Sequence, residues 1–297
     1  MQGRGLNAHI PTKSEIDKVV ACSCEWIRLD FDWRYIEPKK GKFNWSSYDT
    51  AVDYSRQKGL KIYASLAYVP DWVNSDYRAC PDVFNWVYFC TKVGARYAGR
   101  IDVYSLWNEP NLKQFYTGSK EDYLNVILKS GYNALKSIAG GNLVVAAGDL
   151  ATTGSSSWES WFSLLKKNSN LFDVFSWHTY QSSADEVISR YETGKFPIIG
   201  WIVPKWRPFK WHIDSIRKKG KRIFLTETGL KAKKNKQSEL KDQKDFVEKL
   251  DKIRKETKAE VVFLYELKDY PQFSDKWGVF DEQCNPKKAA EWLMANK

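Results

Sequence analysis

Two short stretches place a carboxylate where chemistry could use it. In Val103-Tyr104-Ser105-Leu106-Trp107-Asn108-Glu109-Pro110 an apolar run ends on an amide, an acid and a proline. Proline cannot donate to a sheet ladder, so the strand must stop there with Asn108 and Glu109 at its tip. A second run, Arg222–Thr226, ends in the same way on Glu227-Thr228-Gly229. One strand-end glutamate alone reads equally well as a solvated cap. Two of them facing one cleft can cleave an acetal: one, protonated, gives the leaving oxygen its proton, while the other, ionised, attacks or supports the carbon.

Whether the two can meet depends on the elements that carry them. Short apolar or β-branched runs predict strands at Leu6–His9, Trp26–Asp30, Lys61–Tyr68, Val103–Trp107, Leu143–Gly148, Val174–His178, Arg222–Thr226 and Val261–Glu266. Helical patterns lie between them at Ser14–Ala21, Tyr48–Lys58, Val83–Tyr97, Tyr123–Ile138, Trp158–Lys167, Trp211–Lys219, Ser238–Thr257 and Lys287–Met294. Several of these stop at glycine, as at Gly59, Gly140 and Gly220, the usual helix C-terminal signal. Eight strand-then-helix units without a break in composition predict one (β/α)8 TIM barrel, a single catalytic domain over residues 1–297. An open doubly wound sheet is the competitor, but no GxGxxG turn follows any strand.

In such a barrel the working residues stand at the C-terminal ends of the strands. Here that rim reads His9, Arg28 and Asp30, Tyr68, Asn108 and Glu109, Asp149, His178 and Tyr180, Glu227, then Tyr265 and Glu266. Strands four and seven oppose each other across the mouth, which predicts that Glu109 and Glu227 share one cleft. Trp33 and Trp72 follow strands two and three, so they are expected on the mouth side.

Trp107-Asn108-Glu109-Pro110 and Thr226-Glu227-Thr228-Gly229 resemble the two signatures of the clan of retaining glycoside hydrolases with acid/base on strand four and nucleophile on strand seven. WIRLDFDWRYIEPKKGKFNWSSYD (26–49), SWHTY (176–180), FLYELKDY (263–270) and WGVFDEQCNPKKAAEWL (277–293) extend the likeness over nearly the whole chain. It is nearest to family-39-like members, with family 5 next. The resemblance implies a β-glycosidase acting by double displacement on an oligo- or polysaccharide. Glu109 would be the acid/base and Glu227 the nucleophile, kept charged by Arg28 and the Tyr180 hydroxyl. Asn108 would bind the hydroxyl beside the anomeric carbon, and His178 would orient the acid/base or bind a sugar hydroxyl. Trp33 and Tyr265 would line the subsite; Tyr265 stands where the clan often carries tryptophan. A transglycosylase using the same residues and a non-catalytic carbohydrate-binding barrel are the alternatives.

Composition narrows the partners. The 14 Trp, 16 Tyr and 15 Phe suit ligands whose C–H faces stack on rings. The net charge of +11 favours anionic partners, yet no nucleic-acid-binding motif is present, so nucleic acid is not expected. The long connection from Tyr180 to Trp211 interleaves Trp201, Trp206 and Trp211 with Lys205, Arg207 and Lys210, and Lys231–Lys236 follows strand seven. Trp206 is therefore a candidate substrate platform, and an acidic polysaccharide a candidate substrate. Three histidines without clustered ligands, and five cysteines without a CxxC pair, predict neither metal nor cofactor. Cys80 and Cys90 could close a short loop. No run of about 18 apolar residues predicts a membrane span. The opening MQGRGLNAHI lacks an apolar signal core; a secreted protein that has lost its leader is favoured over a cytoplasmic one, and a monomer is expected.

Overall fold

The computed structural model describes residues 3–138, 142–153, 158–193, 208–232 and 236–296. Eight parallel strands close in sequence order into a barrel. They are β1 (Arg4–Asn7), β2 (Trp26–Asp32), β3 (Lys61–Ala67), β4 (Val103–Leu106), β5 (Val145–Ala151), β6 (Val174–His178), β7 (Arg222–Thr228) and β8 (Val261–Leu264). Burial runs unbroken along most of them, as parallel strands covered on both faces require.

The barrel interior has two levels. At the floor Trp26, Tyr63, Val103, Ala146, Val174, Phe224, Val261 and Phe263 form a closed apolar cluster. Gly5 permits it, since a Cβ there would lie 2.4 Å from the Phe263 ring. Above the floor the inward residues turn polar: Asn7, Arg28, Ser105, Asp149, Ser176 and Thr226 are all buried. A second, larger cluster fills the space between strands and helices.

The helices differ from the sequence reading at a few points. The stretch expected as one helix over 123–138 is a π-helix, Tyr123–Ser130, followed by an α-helix, Gly131–Lys136. The expected 238–257 helix divides into Gln237–Glu248 and Leu250–Thr257 at Lys249, whose ψ of 6° breaks the run. β5 continues past Gly148 to Ala151, because Gly148 (φ 102°) and Asp149 (φ 39°) form a bulge inside the strand instead of ending it. Asp149 thereby sits inside the barrel, fully buried, and not at the rim. All five cysteines are free thiols; Cys90 faces the core from Val83–Tyr97 and does not bridge to Cys80.

Candidate active site

Glu109 and Glu227 meet over the polar level. One oxygen of each carboxylate and a ring nitrogen of His178 lie within 4.8 Å of one another, close enough that the three could share a metal ion. β4 supplies Glu109 through a tight turn in which Trp107 and Glu109 adopt positive φ (83° and 42°), and Pro110 follows directly. β7 carries Glu227 within its last turn of pleat.

The surroundings make the two acids unlike. Arg28 Nη1 donates to Glu227 Oε1 at 2.8 Å and to Asn7 Oδ1 at 2.9 Å, while Nη2 donates to Asn108 Oδ1 at 2.8 Å and to Asp149 Oδ2 at 3.4 Å. The Tyr180 hydroxyl donates to Glu227 Oε2. Burial leaves the Glu227 pKa raised, although the Arg28 charge and the Tyr180 hydrogen bond pull against it. Among the described residues no arginine bonds to Glu109. Its neighbour is His178, whose Nδ1 lies 2.8 Å from Glu109 Oε1 and 3.5 Å from Glu227 Oε2. Burial, only partly offset by Arg28, pushes Glu109 up to about 8, so it keeps its proton at neutral pH. Burial also holds His178 down, in its neutral form.

Beneath them Asp149 gathers the polar level. It accepts from the hydroxyls of Tyr63 (2.7 Å), Thr226 (2.8 Å) and Ser105 (3.1 Å), and lies 3.8 Å from His178 Nε2. Burial pushes its pKa up, but the Arg28 charge and the donating hydroxyls outweigh that and hold it below the usual carboxylate value.

A cavity of about 230 Å³ is lined by Arg28, Asn108, Glu109, Glu227 and Tyr265, which places these expected residues together. Tyr265 packs edge-on against Tyr180, His9 and Trp277. Trp33 is not there. Its ring is fully buried, stacks on Phe89 at 4.7 Å and gives its Nε1–H to Glu37 at 2.7 Å, so it belongs to the core behind β2. Trp72 packs edge-on against it and donates to the Glu37 carbonyl. Trp206, with Trp201, Lys205 and Arg207, lies outside the described residues. Trp211 is on the outer helix Phe209–Arg217 beneath Lys166.

Three residues of the rim that were not singled out as site residues form the wall between β8, β1 and β2. His9 is bound by Asp30 Oδ2 at 2.6 Å through Nδ1 and by Glu266 Oε2 at 2.8 Å through Nε2. Burial would lower its pKa; Asp30 and Glu266 overcome that and push it up to about 10, so it is an imidazolium. The signal in the sequence was only their place at strand ends, which does not tell which of them bond.

A family model described as cellulase (glycosyl hydrolase family 5) matches residues 2–266. The chain belongs to glycosyl hydrolase family 5. No curated protein matches it. Solved structures similar to this family 5 chain include a family 39 glycoside hydrolase from Bacteroides cellulosilyticus WH2 (18% identity, TM-score 0.76, 99% of this chain and 62% of that one). An exo-β-1,4-mannosidase from Opitutaceae bacterium strain TAV5 is similar too (13%, 0.71, 99% and 59%). So is xylanase 10B from Thermotoga petrophila RKU-1, solved with xylobiose (14%, 0.67, 99% and 94%). The chain thus spans about three fifths of the length of the first two. Both families named from the sequence are represented, family 5 by the sequence match and family 39 by the fold. Among the described residues no helix is long and apolar enough to cross a membrane.

Proposed function

We infer that this family 5 barrel is a retaining β-glycoside hydrolase acting on an oligo- or polysaccharide. The carrying observation is the close, unequal carboxyl pair. Glu109 and Glu227 approach within 4.8 Å, and among the described residues a guanidinium and a phenol donate to Glu227 and none to Glu109. Retaining enzymes hold their carboxyls about 5–5.5 Å apart, whereas inverting enzymes leave about 6.5–9.5 Å for a water. The named activity of the similar exo-β-1,4-mannosidase, on β-linked glycans, supports the same class.

Glu227 attacks the anomeric carbon as the glycosidic C–O bond breaks, and Glu109 gives its proton to the departing oxygen. Glu109, now ionised, takes a proton from water while that water displaces Glu227, which leaves as carboxylate. Asn108, fixed by Arg28, is placed to hold the neighbouring sugar hydroxyl. Proton NMR of the first product decides the matter. The β anomer is expected; the α anomer overturns retention. A longer oligosaccharide as main product would identify a transglycosylase, and binding without any product a non-catalytic barrel.

The acidic-polysaccharide reading rested on cations at the mouth. Of these, Lys210 pairs with Glu192 at 2.8 Å and Lys231 with Asp275 at 2.7 Å. Lys233 and Lys234 fall outside the described residues, with Lys205 and Arg207. Lys236 is exposed just before the helix Gln237–Glu248, and the paired state of Lys210 and Lys231 supports a neutral glycan as the proposed substrate.

A further inference from the structure

The cavity around the carboxyl pair shares His9, Asp30, Asp32, Tyr68 and Phe273 with a second cavity of about 520 Å³, so the two form one cleft along β1 and β2. Every described cation lining it is already paired. His9 lies between Asp30 and Glu266, Arg28 binds Glu227 and Asp149, and Arg34 holds Asp32 with Nε at 2.9 Å and Nη2 at 2.5 Å. Asp30 differs from the other acids here. Its Oδ2 accepts a hydrogen bond from His9 Nδ1, but Oδ1 receives none from the described residues; the Arg28 Nη1 stands 3.9 Å away. The side chain is 38% exposed, at the junction of the two cavities.

We propose that Asp30 determines specificity: its free oxygen accepts from hydroxyls of the sugar held against Glu227 and repels a sugar carboxylate, so neutral glycans are selected over uronates. This rests on the reading of Glu227 as the site of attack. The pairing supports it, for each described cation lining the cleft (His9, Arg28, Arg34) is already held by a carboxylate, which leaves none of them to receive a uronate. His9 also holds Asp30 down at about 2 against its burial, so the carboxylate is charged at every working pH. A donor-rich neutral sugar satisfies such a site, and a site built to bond hydroxyls discriminates strongly against ligands that cannot supply them.

The test compares 4-nitrophenyl β-D-glucopyranoside with 4-nitrophenyl β-D-glucuronide, which differ only in the carboxylate. Wild type should favour the glucoside by about 100-fold in kcat/KM, the size of a close like-charge contact. Asp30→Asn should lower glucoside kcat/KM about 10–100-fold and narrow the ratio at least about tenfold. Phe273→Ala, which alters shape without charge, should leave the ratio unchanged. A wild type preferring the glucuronide, or a folded Asp30→Asn protein with the wild-type ratio, overturns the proposal. Should Asp30→Asn not fold, the wild-type ratio is read at low and high salt, where screening should narrow it and constancy counts against the idea. Saturation-transfer NMR of the same two glycosides reads discrimination through binding alone, so loss of the hydrolase reading leaves this one testable; equal binding refutes it.

Discussion

The floor of the barrel and its mouth are built from the same eight strands by opposite rules. At the floor, aromatic rings interlock: Trp26 meets Phe224 at 5.4 Å and Tyr63 meets Phe263 at 5.7 Å, edge to face or tilted. The strand register there is regular. Towards the mouth it shifts in three of the eight pairings, between β5, β6, β7 and β8. His9, Tyr68, Trp107 and Glu109 take positive φ just past strand tips, and Asp149 does so within the β5 bulge. Each such residue costs on the order of 1 kcal/mol, and buried carboxylates add desolvation. The floor therefore supplies stability that the mouth uses to hold charged groups in strained, specific positions. Tyr63 joins the two, with its ring in the floor and its hydroxyl on Asp149.

The sharpest way to expose this division is to remove the nucleophile. Glu227→Ala should lower kcat/KM on the order of 10⁵-fold while the protein stays folded, since loss of an attacking group removes the chemistry and not the core. Glu109→Ala should spare activated aryl glycosides and be partly rescued by azide, which needs no general base. Rescue confined to the Glu227 variant, yielding the inverted glycosyl azide, would exchange the two roles.

The floor should answer in the opposite currency. Phe224→Ala is expected to cost about 3–5 kcal/mol of stability, measured by denaturant unfolding, through a cavity its neighbours cannot fill. The kcat of the protein that remains folded should stay within a few fold of wild type. A large loss of kcat at full folding would show that the two levels are coupled, against the division drawn above.

The mouth was legible where punctuation marks it. Pro110 after Glu109 and Gly229 after Thr228 mark the strand ends, although β4 already stops at Leu106 where Trp107 turns to positive φ, and the acids beside them could be placed from the chain alone. What pairs with what was not legible. His9, Asp30 and Glu266 come from β1, β2 and β8, and their bonding depends on barrel closure that spans 257 residues of sequence. Trp33 was misplaced because a ring following a strand can turn to the mouth or behind the sheet, and the stacking on Phe89 is a tertiary choice. Asp149 was expected at a tip because Gly148 reads as a strand end, whereas it makes a bulge within one.

A mouth that holds an acid neutral against its ordinary pKa should gain stability when that acid is replaced. Glu109 sits at about 8 when folded, above its ordinary 4.5. The stability linked to its proton is thus full below the unfolded value and is lost as pH rises through about 8. Glu109→Gln, neutral at every pH, should be more stable than wild type by an amount that grows across that window to about 1–3 kcal/mol. Thermal unfolding at pH 4.5 and pH 8 checks it; equal gain at both would detach the effect from ionisation. The same acid sets the alkaline side of catalysis, so wild-type kcat/KM should fall as pH rises past about 8.

The smallest change asks whether a mouth residue serves the transition state or merely holds substrate. Tyr180 donates a hydrogen bond to Glu227 Oε2 and packs edge-on against Tyr265 and Trp277, so its ring is fixed by neighbours that Tyr180→Phe leaves in place. Removing the hydroxyl then deletes one hydrogen bond to a carboxylate whose charge is spent as it bonds to carbon. That bond re-forms as Glu227 regains its charge on leaving the sugar, so it stabilises the deglycosylation transition state more than the covalent intermediate, and its loss slows that second step. kcat should fall about tenfold with KM falling too, because the glycosyl-enzyme then accumulates. An unchanged kcat with a raised KM would move Tyr180 from the machinery of attack to the wall of the subsite.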